Sequence, residues 1–316
     1  MTTAFYSHPD CKLHEMGAWH PESPERLQAI EDQLIASRIS DLIEYRSAPQ
    51  AHMAHLARVH SNAAIKLVHD NTPSLAPGSE AYYPIDGDTS INAHSWNAAL
   101  RAAGAAVAAT DAVMAGEIEN AFCSVRPPGH HARPSVPMGF CLFNNVAIAA
   151  MHALEKHGLQ RVAIIDFDVH HGNGTEESFA HEPRVLMASF FQHPFYPYSG
   201  VGRDGQPREG MVNVPVPAYS KGDVVRELVK DKWLPALHAH RPQMIFISAG
   251  FDAHREDDIG QMGLVEDDYV WMTQQIMAVA DQHAQGRIVS CLEGGYHLSA
   301  LGRSVAAHVK ALAGLC

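Results

Sequence analysis

Short, almost continuous apolar segments alternate along the chain with longer segments whose apolar positions recur at helical spacing. The β-rich segments cover residues 121–125, 161–168, 184–190, 211–216, 243–248 and 287–292. The helix-like segments lie near residues 90–116, 144–157, 221–240, 265–285 and 298–312. Strands that are apolar throughout, such as VAIIDF and MIFIS, are typical of parallel strands covered on both faces. The pattern therefore predicts an α/β fold with an open, mostly parallel sheet and helices on both faces.

Polar residues come directly after four of these predicted strands. The segments are RPPGHH from Arg126, DVHHGNG from Asp168, FDAH from Phe251 and EGGY from Glu293. The carboxyl ends of parallel strands meet at one edge of a sheet, and ligands bind at that edge in open α/β folds. We therefore expect these carboxylates, imidazoles and the phenol to form one site there.

Asp168, His170 and Asp252 are residue types that suit a catalytic metal site. In an extended Asp-x-His segment the side chains of Asp168 and His170 project to the same face, and Asp252 comes from a different strand end. Two carboxylates and one imidazole leave a metal open to water and to a substrate carbonyl. A single Asp-x-His pair is more often a buried hydrogen-bonded pair or a helix cap. The four strand ends taken together favour the metal site.

His130-His131 and Tyr296 add groups for proton transfer and oxyanion binding. The double histidine could be a chance product of a chain with 22 histidines, but its place after a Pro-Pro-Gly turn favours an acid–base role. Tyr296 follows two glycines and could donate a hydrogen bond to a developing oxyanion. A buried tyrosine with a satisfied hydroxyl is the plain alternative.

The composition narrows the class of protein. The 316 residues are 46% hydrophobic and contain no linker, repeat or low-complexity tract, which favours a single domain over residues 1–316. A net charge of −12 with no basic stripe argues against nucleic acid as a partner. The charge suits a cationic substrate through long-range attraction, although an acidic balance also simply keeps an enzyme soluble.

The cysteines and the apolar segments indicate a cytoplasmic protein. The five cysteines form no C-x-x-C pair, which favours reduced thiols over disulfides or cysteine-bound zinc. The first ten residues lack the basic and apolar regions of a secretory signal. The stretch from Ala98 to Ala115 contains Arg101 and Asp111, so we expect a buried helix and no membrane partner. The oligomeric state stays open.

Five sequence blocks resemble those of a known enzyme family. They are RPPGHHA, GFCLFNN, DFDVHHGNGT, SAGFDAH and LEGGYHL, and with the early His20-Pro21-Glu22 they run from about residue 20 to residue 297. Together they resemble the signature blocks of the zinc-dependent histone deacetylase and acetylpolyamine amidohydrolase family. Asn173, the Glu-Gly-Gly-Tyr block and the early His-Pro-Glu are similar to its class II branch and bacterial relatives. The resemblance implies an arginase/deacetylase-type fold and a hydrolase that removes acyl groups from amines.

The resemblance implies two bound ions. The implied zinc ligands are Asp168, His170 and Asp252, with ferrous iron as the alternative metal in the cell. The implied potassium site is formed by backbone oxygens of Asp166, Asp168 and His170 together with Ser189 and Phe190.

The resemblance also implies a substrate tunnel. Gly139 and Phe140 line it, and Tyr196 lies on the opposite wall, where the family usually has phenylalanine. Ile259 lies at its mouth, where a glutamate in the family goes with polyamine preference. Arg26 falls where an arginine guards an internal channel for the released acid.

The implied partners of the tandem histidines give the two rings different roles. The resemblance pairs His130 with Asp166 and His131 with Asn173, and it has Tyr296 polarise the scissile carbonyl. A carboxylate partner favours the charged form of an imidazole, whereas a neutral amide does much less. Our hypothesis is that His131 is neutral and deprotonates the attacking water, while His130 is cationic.

Several functions remain open on the sequence alone. The acyl-lysine deacylase is favoured, because the isoleucine at 259 offers no charge to a second ammonium group. An amidohydrolase for acetylated polyamines is the alternative, and Asp86 or Asp88 could supply a rim carboxylate if these are not simply solvated loop acids. A catalytically silent acyl-lysine-binding protein is a third possibility. A two-manganese ureohydrolase needs further clustered carboxylates, so one metal is favoured.

Overall fold

The computed structural model describes residues 2–74, 81–201 and 210–316. Eight strands form one sheet in which every neighbouring pair is parallel, with the order β2-β1-β5-β10-β9-β6-β7-β8. They are β1 (Thr3–Ser7), β2 (Glu44–Ser47), β5 (Asn120–Cys123), β6 (Val162–Asp166), β7 (Val185–Gln192), β8 (Met211–Val216), β9 (Ile245–Ala249) and β10 (Ile288–Leu292). A separate antiparallel pair consists of β3 (Tyr83–Pro84) and β4 (Ser90–Ile91).

Helices cover the two faces of the sheet. They are α1 (Glu25–Ala36), α2 (Met53–Leu56), α3 (Asn62–Asn71), α4 (Ser95–Ala115), α5 (Asn145–Glu155), α6 (Asn173–Phe179), α7 (Gly222–Leu228), α8 (Leu234–His240), α9 (Glu266–His283) and α10 (Leu298–Leu312). One layer contains α4 packed on α5, and the other contains α1 and α9 packed on α10. The predicted single-domain α/β fold with a mostly parallel sheet is confirmed.

The six predicted strands and five predicted helices all form, with ends that shift by up to five residues. The segment 221–240 differs in one respect, because a π-helical turn at Val229–Trp233 separates α7 from α8. Sequence reasoning missed the strands β1 to β4 and the helices α1, α2, α3 and α6. None of these strands is longer than five residues, and β2 is a largely exposed edge strand with no apolar run.

The alanine-rich stretch forms a core helix, as predicted. α4 is long and apolar enough to cross a membrane by length and composition, but 72% of its apolar window is buried inside the protein. Ala102, Ala105 and Ala106 on this helix are fully buried in the main core cluster. All five cysteines are free thiols, and four of them are buried.

Candidate active site

Four strand ends deliver the polar residues to one edge of the sheet. These strands are β5, β10, β9 and β6, which are far apart along the chain but are consecutive neighbours in the sheet. Because all of them are parallel, the loops after them leave from the same edge. The four polar segments therefore meet at one edge of the sheet, as predicted.

Asp168, His170 and Asp252 form a buried cluster whose ligand atoms all lie within 4.8 Å of one another. Nδ1 of His170 is 3.0 Å from Oδ1 of Asp168 and 3.1 Å from Oδ2 of Asp252. The backbone holds both carboxylates in place: Val169 N donates to Asp252 and Gly294 N donates to Asp168, each at 2.9 Å.

Asp168 and His170 meet for a different reason from the predicted one. Strand β6 ends at Asp166, so the Asp-x-His segment lies in a bend and not in extended structure. The backbone N–H of His170 donates to Oδ1 of Asp168 at 2.8 Å, which folds the carboxylate back over the turn. The two side chains meet because of this local hydrogen bond, and not because side chains alternate along a strand.

The cluster suits a divalent cation. Oδ2 of Asp252 is buried and, among the described residues, meets no donor in full hydrogen-bond geometry, although Nδ1 of His170 lies 3.1 Å away. A Cβ at Gly294 would lie 2.1 Å from that oxygen, so glycine is required for the backbone to approach the carboxylates. A buried, unpaired carboxylate oxygen directed at an imidazole and a second carboxylate is the environment that a bound cation stabilises. The three residues therefore form a candidate metal site.

The pKa values within the cluster reflect the crowding of like charges. Burial, and then repulsion by Asp168, raises the pKa of Asp252 to about 7. Burial alone would lower the pKa of His170, but the hydrogen bond with Asp168 and the nearby carboxylate of Asp252 outweigh it and raise that pKa to about 9. A metal ion that takes the place of the imidazole proton offsets the repulsion between the two carboxylates and lets His170 be neutral.

The tandem histidines lie beside this cluster with different partners. Nδ1 of His130 is 3.0 Å from the carboxylate of Asp166, and Nδ1 of His131 is 2.7 Å from the amide oxygen of Asn173. An amide oxygen only accepts, so Nδ1 of His131 carries a proton and Nε2 is its basic nitrogen. The two rings pack against each other with centroids 4.0 Å apart.

These surroundings separate the pKa values of the two histidines. Burial opposes the charged form of His130, but Asp168 and Asp166 outweigh it and raise its pKa well above the usual value. Burial and the positive charge of His130 lower the pKa of His131 well below the usual value. These shifts favour the charged form of His130 and the neutral form of His131.

Glu293 fixes the loop that carries the tandem histidines, and sequence reasoning gave it no such role. Its fully buried carboxylate accepts from the backbone N–H groups of Gly129 at 2.6 Å and His130 at 3.0 Å. Burial raises the pKa of Glu293 to about 7. Its partners precede it by 164 and 163 residues, so no local sequence signal could have paired them.

A narrow pocket of about 230 Å³ leads to the cluster. The predicted tunnel and catalytic residues that line it are His131, Gly139, Phe140, His170, Tyr196, Ile259 and Tyr296. Sequence reasoning missed Phe195, whose ring stacks on that of His170 with centroids 5.3 Å apart, and left Asp88 undecided, although it also lines the pocket. The volume is below the roughly 300–1,000 Å³ of pockets for drug-sized ligands, so the pocket suits a slender, extended group.

Gly139 and Tyr196 define the narrowest part of the pocket wall. Gly139 has a φ of +56°, and a Cβ there would lie 2.6 Å from the His131 ring and 2.9 Å from the Tyr196 hydroxyl. Only glycine leaves His131 in place at this position. The ring of Tyr196 meets that of His131 edge-on at 5.1 Å.

Asp257 joins the loop of Tyr296 to the mouth of the pocket. Its buried carboxylate accepts from the backbone N–H groups of Tyr296 at 2.6 Å and His297 at 3.0 Å, and from that of Ile259 at 3.0 Å. Sequence reasoning missed this residue because its partners near Tyr296 lie about 40 residues further along the chain.

Arg26 lies directly behind Tyr296. The guanidinium is fully buried, donates to the backbone oxygens of Gly295 and Glu293, and pairs with Glu22 at 2.9 Å. Its central carbon is 5.0 Å from the centre of the Tyr296 ring. His20 is at the rim, where its Nε2 donates to the backbone oxygen of Asp88 at 3.0 Å.

The residues of the predicted potassium site lie on the neighbouring strands β6 and β7 and the loop after β6. Asp166 pairs with Ser189 in the ladder between the two strands, and Asp168 and His170 follow β6 directly. The Ser189 hydroxyl donates to Asn213 at 2.9 Å, and the ring of the next residue, Phe190, stacks on Trp233.

Comparison with known proteins agrees with this geometry. A family model described as "Histone deacetylase domain" matches residues 20–312. The histone deacetylase-like amidohydrolase of Pseudomonas aeruginosa is 40% identical over 283 residues, covering 88% of this chain and 73% of that protein. The polyamine deacetylase HDAC10 of Homo sapiens is 35% identical over 327 aligned positions, covering 99% of this chain and 46% of that protein. The crystal structure of the HDA15 HD domain matches with a TM-score of 0.91 at 34% identity, covering 99% of this chain and 88% of that one. The family predicted from the sequence blocks is confirmed: the chain belongs to the histone deacetylase family.

Proposed function

We propose that this deacetylase-family chain is a zinc-dependent amide hydrolase that removes acetyl or other small acyl groups from acyl-lysine side chains. The observation that carries the proposal is the meeting of the Asp168–His170–Asp252 cluster with the His130–His131 pair at the end of one narrow pocket. Metal ligands, a proton acceptor and an oxyanion donor in one pocket are the parts that metal-assisted amide hydrolysis requires.

Asp168, His170 and Asp252 would hold the metal, which is zinc or ferrous iron. When bound, such an ion polarises the acyl carbonyl as a Lewis acid and lowers the pKa of water. His130 and His131 lie beside the cluster, with Asn173 behind His131, where a second bridging ion would need further carboxylates. This arrangement favours one catalytic ion over a dinuclear ureohydrolase site. The intact ligand set also argues against a silent binding protein.

Proton transfer falls to the tandem histidines. Nε2 of His131 is unprotonated at neutral pH and accepts a proton from the attacking water, because Asn173 holds the proton of this ring on Nδ1. His130 starts as a cation because Asp168 and Asp166 raise its pKa, and it stabilises negative charge until it gives its proton to the leaving amine. No covalent intermediate is needed.

Tyr296 polarises the scissile carbonyl. Burial, and then the negative charge of Asp252, raise the pKa of Tyr296 well above its usual value, so the phenol keeps its proton and donates it in a hydrogen bond to the oxyanion. Asp257 fixes the backbone at this residue, and the guanidinium of Arg26 packs on its ring.

The remaining assignments belong to the same proposal. A structural potassium ion would be held by backbone oxygens of Asp166, Asp168 and His170 together with Ser189 and Phe190. Buried Arg26 would border a channel for the released carboxylic acid. We further propose one catalytic domain over residues 1–316 and a cytoplasmic location.

The pocket mouth favours an acyl-lysine substrate over an acetylpolyamine. Ile259 is apolar and half-buried there, so it contacts the aliphatic stem of the substrate and offers no partner to a distal ammonium. Asp88 at the rim is the feature that favours the alternative, and one relative is named a polyamine deacetylase.

A substrate panel with the wild type and Ile259→Glu tests this choice. The wild type should hydrolyse acetyl-lysine peptides faster than acetylputrescine or acetylspermidine, and Ile259→Glu should raise the ratio of acetylpolyamine to acetyl-lysine turnover. Asp258→Glu, at the exposed neighbouring position, is the matched control. If the wild type already prefers acetylpolyamines, Asp88 at the rim, and not Ile259, selects the substrate.

A further inference from the structure

A second group of metal-ligating side chains lies on the helical layer formed by α4 and α5. Asp111 comes from α4, His152 from α5 and His157 from the turn that follows α5. Both Nε2 atoms are 2.7 Å from the same oxygen, Oδ1 of Asp111. None of the three lines the substrate pocket.

Two imidazole nitrogens and one carboxylate oxygen that converge in this way form one face of a metal coordination shell. Imidazole and carboxylate suit Zn²⁺, Cu²⁺ and Ni²⁺, and three protein ligands leave the remaining positions to water. The Asp111 side chain is 51% exposed, which leaves the open side of the group accessible to a hydrated ion.

The surroundings of the group fix which protons must move. Nδ1 of His152 accepts from Nη1 of Arg58 at 3.1 Å, so Nε2 carries the proton and donates to Asp111. A metal on Nε2 moves that proton to Nδ1, and Arg58 then releases the ring while its Nε keeps the bond to Glu155 at 2.8 Å. His55 packs edge-on against His152 at 5.2 Å and adds a third imidazole beside the group.

We propose that Asp111, His152 and His157 bind a divalent transition metal of the zinc type, separate from the catalytic ion. Bound there, the ion cross-links α4 to the end of α5. α5 begins at Asn145, whose side chain donates to the backbone oxygen of Pro127 in the loop that carries the tandem histidines. The ion therefore stabilises the layer on which that loop rests, and it takes no part in the reaction.

Zinc stoichiometry in variant proteins tests the proposal. Four proteins are stripped of metal and dialysed against buffered Zn²⁺, and the zinc bound per chain is measured. They are the wild type, His157→Ala, Asp111→Asn and Asp252→Ala. His181→Ala, which removes an exposed histidine from outside the group, is the matched control. We expect two ions per chain in the wild type and in His181→Ala, and one in each of the other three variants. The double variant Asp252→Ala/His157→Ala should bind none.

Thermal unfolding supplies an independent readout. Zn²⁺ should raise the Tm of Asp252→Ala, which keeps only the α4–α5 site, and should leave that of the double variant unchanged. A wild type that binds a single zinc, or a His157→Ala protein that retains two, overturns the proposal. The counts do not depend on turnover, so they stand apart from the test of the hydrolase activity.

Discussion

At the scale of single residues, the site works by giving chemically similar side chains different neighbours. His130 and His131 are adjacent in the sequence, yet a carboxylate faces one ring and an amide faces the other. Asp168 and Asp166 raise the pKa of His130, whereas burial and the charge of His130 lower that of His131, and the neutral amide of Asn173 does not reverse this. The proposed base role of His131 therefore requires an amide, and not a carboxylate, at position 173.

Asn173→Asp tests this assignment through the pH dependence of the reaction. The new carboxylate favours protonated His131 and raises its pKa, so the base is lost at a higher pH than in the wild type. The acidic limb of the kcat/KM profile should shift upward by about one pH unit or more. An unshifted limb, with metal content intact, would remove His131 from the role of the base.

Tyr296→Phe tests the oxyanion donor. The ring and its packing on Arg26 remain, but the hydrogen bond to the oxyanion is lost. Turnover of an acetyl-lysine peptide should fall by about 10²–10³, the usual cost of one such donor, with zinc content unchanged. Tyr219→Phe, at a 75% exposed tyrosine, is the control. A Tyr296→Phe enzyme with near wild-type turnover would exclude the phenol from the mechanism.

At the scale of the elements, loops placed by strand ends carry the chemistry, and buried carboxylates hold those loops. Asp257 accepts three backbone N–H groups, two from the Tyr296 loop and one from Ile259. Asp257→Asn replaces one acceptor with an NH₂ group and removes the charge, which weakens hydrogen bonds worth about 1.5–3 kcal/mol. We expect kcat to fall roughly ten- to a hundredfold while KM and zinc content change little.

Non-additivity separates positioning by Asp257 from a general loss of structure. If Asp257 acts through Tyr296, the double variant Asp257→Asn/Tyr296→Phe should be no slower than Tyr296→Phe alone. Asp258→Asn, at the exposed neighbour, should behave as the wild type. Fully additive losses in the double variant would show that Asp257 does not act through the phenol.

The elements also show which parts of the site a sequence can predict. The apolar runs of β6, β9 and β10 and the polar residues after them are local signals, so their alignment at one sheet edge was predictable. The bend at Asp168 and the anchoring roles of Glu293 and Asp257 depend on hydrogen bonds that the periodicity of the sequence does not encode. Short or exposed elements such as β2 lack any apolar pattern.

At the scale of the whole molecule, the strand order assembles the site. β5, β10, β9 and β6 are adjacent in the sheet although their order along the chain is different, so side chains as far apart in sequence as His131 and Tyr296 line one pocket. The fold supplies a rigid, buried floor, and the strand-end loops supply the groups that distinguish this chemistry from others on the same kind of sheet. The order of the parallel strands thus brings the candidate metal cluster and the tandem histidines side by side.

The central claim is metal-dependent deacylation at the Asp168–His170–Asp252 cluster. Its most direct test measures acetate release from an acetyl-lysine peptide by the wild type and by Asp252→Ala. Both proteins are assayed after metal removal and again after zinc is restored. The metal-depleted wild type should be inactive and should recover with added Zn²⁺, whereas Asp252→Ala should stay inactive at every zinc concentration because two remaining ligands hold the ion weakly. Full activity in the metal-free wild type, or in zinc-treated Asp252→Ala, would contradict the account.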